Sequence, residues 1–165
     1  MKANHRIVTL FAIVFSLIAG NALGQDRNEV LQGIKSVRVN ISGILKESEK
    51  RSQLQTDVEL KLRLAGIKVD PNSSQTLVVS VMIVPVMADQ SSKVIGNYGT
   101  VQLSLADEVF LLRNPKIASI ARTWQGSYAY LHGPSDNDNF WERCRDSVRD
   151  FTDEFINDYL SVNSK

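Results

Sequence analysis

A helix that stops at a glycine and leads into an almost wholly apolar run is the feature that most constrains this chain. Apolar residues recur at spacings of three and four, on one face of a helix: Leu54, Val58, Leu62 and Ala65. Ser52 and Gln55 have the spacing of a capping box, which predicts that the helix begins there. Gly66 can adopt the left-handed conformation that closes a helix, with Ile67 packed back on Leu62. The pattern predicts a helix that ends at Ala65.

The run from Leu77 to Val84 predicts a strand that is buried on both faces. It is rich in β-branched residues and too short to span a membrane. Because Pro85 has no backbone donor, we expect the strand to end near it. Apolar and polar residues alternate from Ser36 to Ile44, which predicts an earlier strand. A strand, a helix and a second strand in this order predict a right-handed parallel crossover.

The first 24 residues have the pattern of a secretory signal peptide. Lys2 and Arg6 precede an apolar run from Ile7 to Ala19, and small residues at Ala22 and Gly24 fit signal peptidase. We expect cleavage before Gln25 and no stable membrane insertion afterwards, with an uncleaved anchor as the alternative. No cysteine stands at the cleavage point to carry a lipid. The expected product is a soluble periplasmic or secreted protein.

Residues 25–165 suit a single domain with its own core. Loss of Lys2 and Arg6 lowers the formal net charge of +1 by two, to −1. Mixed charges near neutrality argue against a nucleic-acid-binding protein, which would carry a basic stripe. Cys144 is the one cysteine, so no internal disulfide forms, and a bacterial periplasm is the more natural compartment.

The remaining pattern predicts two further strands and a final helix. Residues 87–99 contain two glycines and little periodicity, and we interpret them as a long hairpin loop, functional or disordered. Strands are predicted over 100–112 and 117–131. The last helix, over about 140–160, has an aromatic-rich stripe and an opposite charged face.

These elements predict an α+β fold, a two-layer α/β sandwich in the order β-α-β-β-β-α. The sheet has four strands and is mixed: the first two are parallel, and the others form an antiparallel meander. Both helices lie on one face and bury Val39, Val81, Leu103 and Trp124. We place Trp124 and Tyr128 on the helix side because the alternate residues of that strand are too small to fill the gap. The opposite arrangement would expose an aromatic ladder.

The chain shows no catalytic or cofactor signature. His132 is the sole histidine after cleavage, and we expect Cys144 to be buried rather than paired with it as a nucleophile. Asp107 and Glu108 are adjacent in a strand and so point to opposite faces. Asp136 and Asp138 lack the remaining ligands of a calcium loop. We expect no metal, no cofactor and no enzymatic activity, although catalysis by carboxylates alone stays open.

Three segments resemble a family of small secreted bacterial α/β proteins without an assigned function: Leu62-Arg-Leu-Ala-Gly-Ile67, Thr123-Trp124 and Phe155-Ile-Asn-Asp-Tyr-Leu-Ser-Val-Asn163. The likeness covers most of the mature chain, and its motifs are structural. The layout is similar in topology to the periplasmic lipopolysaccharide-assembly lipoprotein and to the amino-terminal domain of the translocation protein TolB. Neither resemblance transfers a functional residue.

Two functional hypotheses follow. The first is a non-catalytic periplasmic interaction or envelope-assembly accessory module that binds a protein partner, or a second copy, through the open sheet face. Its candidate residues combine a polar face with an apolar strip on the central strand: Val78, Met82, Val84, Arg38 and Gln102. The alternative is a small-molecule binding protein or hydrolase. Its cleft, between the 87–99 loop and His132, would be lined by Tyr98, Tyr130 or His132.

Overall fold

The computed structural model describes residues 28–43, 48–88, 94–132 and 137–163, and the side chains of residues 132–140 are outside the description. The predicted signal peptide therefore lies outside the described residues. The elements follow in the order β1 (Ser36–Gly43), α1 (Ser48–Leu64), β2 (Lys68–Val69), β3 (Thr76–Met87), β4 (Val94–Leu111), β5 (Asn114–His132) and α2 (Asn137–Asn163). A short 3-10 helix, Glu29–Leu31, precedes them.

The predicted α+β class, with two helices and a mixed sheet, is confirmed, but the sheet has five strands rather than four. Its strand order is β2-β1-β3-β4-β5. β1 is parallel to β3, and β3, β4 and β5 form the predicted antiparallel meander. The extra strand, β2, pairs with only Ser36 and Val37 of β1. Two residues are too few to show the alternation by which strands are found in a sequence.

Helix α1 ends as predicted but begins earlier. The Ile67 amide donates to the Leu62 carbonyl (2.9 Å) and the Gly66 amide to the Arg63 carbonyl (3.0 Å), with Gly66 at φ +80°. These two bonds form the predicted glycine stop. The capping box at Ser52 is wrong, because the Ser52 hydroxyl lies inside the helix and donates to the Ser48 carbonyl at 3.0 Å.

The predicted loop over 87–99 is also wrong for the residues that are described. β3 continues to Met87 and β4 begins at Val94, so that Tyr98 pairs with Val84; residues 89–93 lie outside the description. Pro85 does not end β3. β1 stops at Gly43, opposite Val81, so the far edge of β3 has no neighbouring strand among the described residues beyond that point, and a missing donor costs little there.

Both helices pack on the same face of the sheet. The core joins one side of each long strand to the apolar stripes of α1 and α2. Its large, fully or almost fully buried members include the following: Trp124, Phe155, Leu54, Leu62, Leu77, Leu103 and Leu105. Burying such a side chain contributes roughly 1.5–3 kcal/mol. The ion pairs Asp57–Arg145 (2.7 Å) and Lys61–Asp153 link α1 to α2 along this layer.

Trp124 lies on the helix side, as predicted, and the exposed aromatic ladder of the alternative arrangement does not form. The indole is 2% exposed and meets the Phe155 ring edge to face at 5.2 Å. Its Nε1 donates to Asp158 Oδ2 at 2.8 Å. Tyr128 is on the same side, with its ring 5.0 Å from that of Phe151. The opposite face of the sheet is left without a helix in the described part of the chain.

Candidate interaction surface

The five residues of the predicted interaction face lie on the helix-free side of the sheet. Alternation sets this arrangement: Val37, Val39, Leu77, Val79 and Val81 are buried under the helices, so the residues between them face the other way. Arg38, Met82 and Val84 are exposed there, while Val78 and Gln102 are half-buried. We call this side the open face.

One row of the open face is apolar across three strands. Val84 of β3 pairs with Tyr98 of β4, which pairs in turn with Leu131 of β5. Val84, Tyr98 and Leu131 are 41%, 37% and 78% exposed, and Met82 in the adjacent row is 37% exposed. We call these four residues the apolar ladder. Tyr98 and Leu131 do not belong to the predicted interaction face. The register that aligns them with Val84 is set by pairing between strands, and the spacing of residues along one strand does not reveal it.

The rest of the open face is mostly polar. Asn40, Gln125 and Ser127 are exposed on it, whereas Ser104 is buried between neighbouring strands. Near Ser104 the pairing of β4 with β5 shifts by one residue, which leaves Thr123 unpaired as a bulge. Within the described residues the buried Thr123 hydroxyl has no hydrogen-bond partner. The apolar ladder thus lies at one end of a mostly polar surface.

A second exposed apolar group lies at the other end of the sheet. β4 and β5 continue past the last β3 pair, Thr76 with Ala106, as a two-stranded arm. Phe110, Leu112 and Ile120 of this arm are all exposed. The sequence offered a signal for the arm in the uninterrupted apolar run from Val109 to Leu112, since such a run places apolar side chains on both faces of a strand.

Two of the three residues of the alternative cleft, Tyr98 and Tyr130, lie on opposite faces of the sheet. Tyr98 lies on the open face, while Tyr130 is on the helix side, where its hydroxyl is hydrogen bonded to that of Ser147. Burial raises the pKa of Tyr130. The His132 backbone pairs with Asn97 at the end of β5, beyond the row that contains Tyr98. A single cleft lined by both tyrosines is therefore excluded by the sheet itself.

Cys144 and Asp107, two of the side chains considered for catalysis, are engaged by their surroundings. Cys144 is completely buried, and burial raises the pKa of its thiol to about 12, so it stays protonated at neutral pH. Asp107 accepts from Gln75 Nε2 at 3.2 Å and from the Glu108 amide at 2.8 Å. In the described ranges no three potential metal ligands come together. No helix there has the length and apolarity needed to cross a bilayer.

No protein-family model matches the chain, and no curated protein matches it. Among solved structures it is similar to a minor lipoprotein from Acinetobacter baumannii, with 13% identity, a TM-score of 0.35 and coverage of 74% of this chain and 90% of the other. The rare lipoprotein B from Shewanella oneidensis has 15% identity and a TM-score of 0.33, with coverage of 75% and 91%.

The PelC dodecamer from Paraburkholderia phytofirmans is similar over 88% of this chain and 96% of the other, at 13% identity and a TM-score of 0.38. Bacterial lipoproteins are therefore among the structures that this chain resembles, and the predicted likeness to such a protein is confirmed at that coarse level. The likeness to the TolB domain and to a family of secreted proteins stays a prediction. Similarities this distant assign neither a function nor a cellular location.

Proposed function

We propose that this chain is a non-catalytic interaction module of the bacterial periplasm, and that it docks a cell-envelope protein through its open face. The observation that carries the proposal is the apolar ladder, in which Val84, Tyr98 and Leu131 form one exposed row across three strands. Contiguous exposed apolar surface on a mostly polar face is typical of a protein–protein contact.

The energetics favour an occupant that is itself apolar at this position. Complete burial of a large apolar side chain contributes roughly 1.5–3 kcal/mol of free energy. The ladder side chains are already part-buried, so a partner that covers them would gain a fraction of that amount from each. Tyr98 adds a phenol hydroxyl that can hydrogen bond at the rim of a contact. A tyrosine flanked by aliphatic residues resembles the anchors that dominate many interfaces.

The setting of the reactive groups supports a role without catalysis. The thiol of Cys144 is buried and protonated, and the hydroxyl of Tyr130 is taken up by Ser147. The alternative, a small-molecule binding protein or hydrolase, is left without a cleft lined by both tyrosines, because Tyr98 and Tyr130 occupy opposite faces. The periplasmic setting rests on the signal-peptide pattern of residues 1–24.

Site-specific photocrosslinking in living cells tests the proposal. A photoreactive phenylalanine analogue replaces Val84 in one strain and Ser127, which is exposed on the same face outside the ladder, in a matched strain. We expect a discrete adduct from position 84 and a much weaker one from position 127. Leu131→Lys in the same chain should abolish the adduct without lowering the thermal stability of the purified protein, because Leu131 is largely exposed.

Equal crosslinking at the two positions, or an adduct that survives Leu131→Lys, would contradict docking at the ladder. An adduct of twice the chain mass would identify the occupant as a second copy of this protein rather than another envelope protein. Met82→Lys gives an independent check: a variant that retains the adduct and the behaviour of the wild-type chain would leave the open face without a role.

A further inference from the structure

The outer edge of β1 is unpaired along most of its length. β2 covers only Ser36 and Val37, while β3 pairs with the other side of β1 from Arg38 to Gly43. β2 then ends at Val69, and Pro71 follows at a turn. In the described part of the chain no strand continues the line of β2, so β1 is an edge strand over 38–43.

The hydrogen bonds at the start of β1 fix which residues face this edge. The Val37 carbonyl accepts from the Asp70 amide at 3.0 Å, on the outer side, and the Arg38 amide donates to the Gln75 carbonyl at 2.9 Å, on the β3 side. Because backbone groups alternate in direction along a strand, Val39 and Ile41 direct both their amide and their carbonyl outward. No hydrogen bond between described residues occupies these four groups. An edge of this kind is a template for an added strand.

A cleft of about 220 Å³ runs beside this edge. β1 forms one wall and β2 contributes Val69, while α1 forms the other wall through Gln55, Glu59 and Arg63. The volume is below the roughly 300–1,000 Å³ that sites for drug-sized ligands occupy. An extended segment that pairs with the open edge of β1 would therefore place only part of its length in this cleft and would continue along the strand beyond it. We call this the β1 cleft.

The charges of the β1 cleft favour an acidic segment. The Arg38 guanidinium donates to the Thr76 hydroxyl at 2.9 Å and forms no ion pair with another described residue. Arg63 is paired with Glu59 at 2.9 Å, and Gln55 also donates to Glu59. The one carboxylate of the cleft is thus already shared, which leaves a net positive charge at Arg38. A carboxylate there would form a charge-assisted hydrogen bond.

We propose that the β1 cleft binds an extended acidic peptide segment of a partner protein, which adds to the sheet as a strand in line with β2. The backbone of the segment pairs with Val39 and Ile41. Side chains alternate along the added strand, so those on one side meet α1 and an acidic one on the other side reaches Arg38. This site is on the opposite edge of the sheet from Leu131, and it stands independently of the proposed docking at the apolar ladder.

Fluorescence polarisation with a labelled hexapeptide of sequence Thr-Glu-Val-Glu-Val-Thr, blocked at both ends, tests this proposal on the purified protein. We expect saturable binding, and loss of it when both glutamates are replaced by lysine. Arg38→Glu should weaken the affinity by about tenfold or more, as loss of a charge-assisted hydrogen bond predicts. Arg38→Gln, which keeps a donor for Thr76, should weaken it as well, since it lacks the charge.

Two control variants separate binding at the β1 cleft from nonspecific charge attraction and from binding at the apolar ladder. Arg113→Glu makes the same charge change at an exposed turn remote from the cleft and should change the affinity by less than about twofold. Leu131→Lys, which disrupts the apolar ladder, should leave peptide binding unchanged. In NMR spectra the peptide should slow hydrogen exchange of the Val39 and Ile41 amides, while the Asn40 amide, directed at β3, is already protected.

Failure of the peptide to bind, or binding that Arg38→Glu and Arg38→Gln leave intact, would overturn the proposal. Displacement of the peptide by citrate at equal concentration would show a site for small anions instead and would also overturn it. So would exchange protection at β5 with none at Val39 and Ile41, because the added strand would then lie on the other edge of the sheet.

Discussion

Trp124 joins the sheet to α2 through both apolar and polar contacts. Its ring is buried against Phe155, and its indole nitrogen donates to Asp158 at 2.8 Å. Asp158 belongs to the charged side of α2, which from its sequence pattern alone is a solvated face. The contact shows that a carboxylate on such a face can satisfy a buried donor, which spares the core an unpaired polar group.

We predict that Trp124→Phe lowers the free energy of unfolding by about 1–3 kcal/mol, because it removes the hydrogen bond and leaves a cavity. Urea denaturation followed by circular dichroism measures the change. Asp158→Asn retains an oxygen acceptor and should cost less. Equal stability of Trp124→Phe and the wild-type protein would show that the indole is not held in this way.

Because Cys144 is buried, we expect the stability of the fold to fall as the pH rises through the alkaline range. The pKa of its thiol rises from 9.0 to about 12 on folding, so the unfolded chain releases this proton at a lower pH than the folded one. The contribution is therefore complete below pH 9 and is lost progressively as the pH rises toward 12. Between about pH 8 and 11, the urea midpoint of Cys144→Ala should fall less steeply with rising pH than that of the wild-type protein. Parallel slopes in the two proteins would contradict a buried, protonated thiol.

At the scale of elements, helix α1 shows which local signals determine structure. Its end was predictable because it depends only on residues close in sequence: Gly66, at φ +80°, and the two backbone hydrogen bonds that the Gly66 and Ile67 amides donate to the last turn. Its start was not, because the charged residues before Ser52 are also good helix formers, and the spacing of Ser52 and Gln55 mimics a cap. The helix continues back through them to Ser48.

The variant Ser52→Ala tests whether Ser52 lies inside helix α1 or caps its start. Inside a helix, alanine has the higher propensity, so we expect unchanged or higher stability, by up to about 0.5 kcal/mol. Loss of a capping serine would instead cost about 1 kcal/mol. The urea midpoint of the variant, measured against the wild-type protein, decides between these signs.

Two glycines with positive φ should respond differently to the same change. A Cβ at Gly66 meets nothing within 4 Å. Gly66→Ala should therefore lower the free energy of unfolding only by the strain of an alanine in the left-handed conformation, about 1–2 kcal/mol. A Cβ at Gly43 would lie 2.1 Å from the Val81 carbonyl oxygen, so Gly43→Ala must also displace β1 from β3 and should cost more. Similar unfolding midpoints for the two variants would refute this close approach of the strands.

Strands whose existence depends on pairing were the least predictable elements. Residues 94–99 contain Gly96 and Gly99 and little alternation, yet they form β4 because β3 provides a partner. Such a dependence on tertiary context is typical of strands. The same effect limited the candidate site: spacing along β3 identified Met82 and Val84, whereas Tyr98 and Leu131 join them only through the cross-strand register.

At the scale of the whole molecule, the placement of both helices on one face was predictable, and it organises everything else. The helix-side residues of the long strands are apolar or bulky, and a parallel crossover brings α1 to the same layer as α2. The open face is then left to polar side chains and the apolar ladder. We therefore expect the protein to present two separate surfaces to partners: the ladder near β5 and the edge of β1.

The rate at which single cysteines react with a small maleimide, in purified protein and in intact cells, tests the central claim most directly. In a Cys144→Ala background, Val84→Cys and Ser127→Cys on the open face should react quickly in purified protein, and Val81→Cys, under the helices, slowly. In cells only Val84→Cys should slow, by about tenfold or more where a partner occupies most copies. Reaction of Val84→Cys as slow as that of Val81→Cys in purified protein, or equally fast in both settings, would contradict an open face that a partner covers.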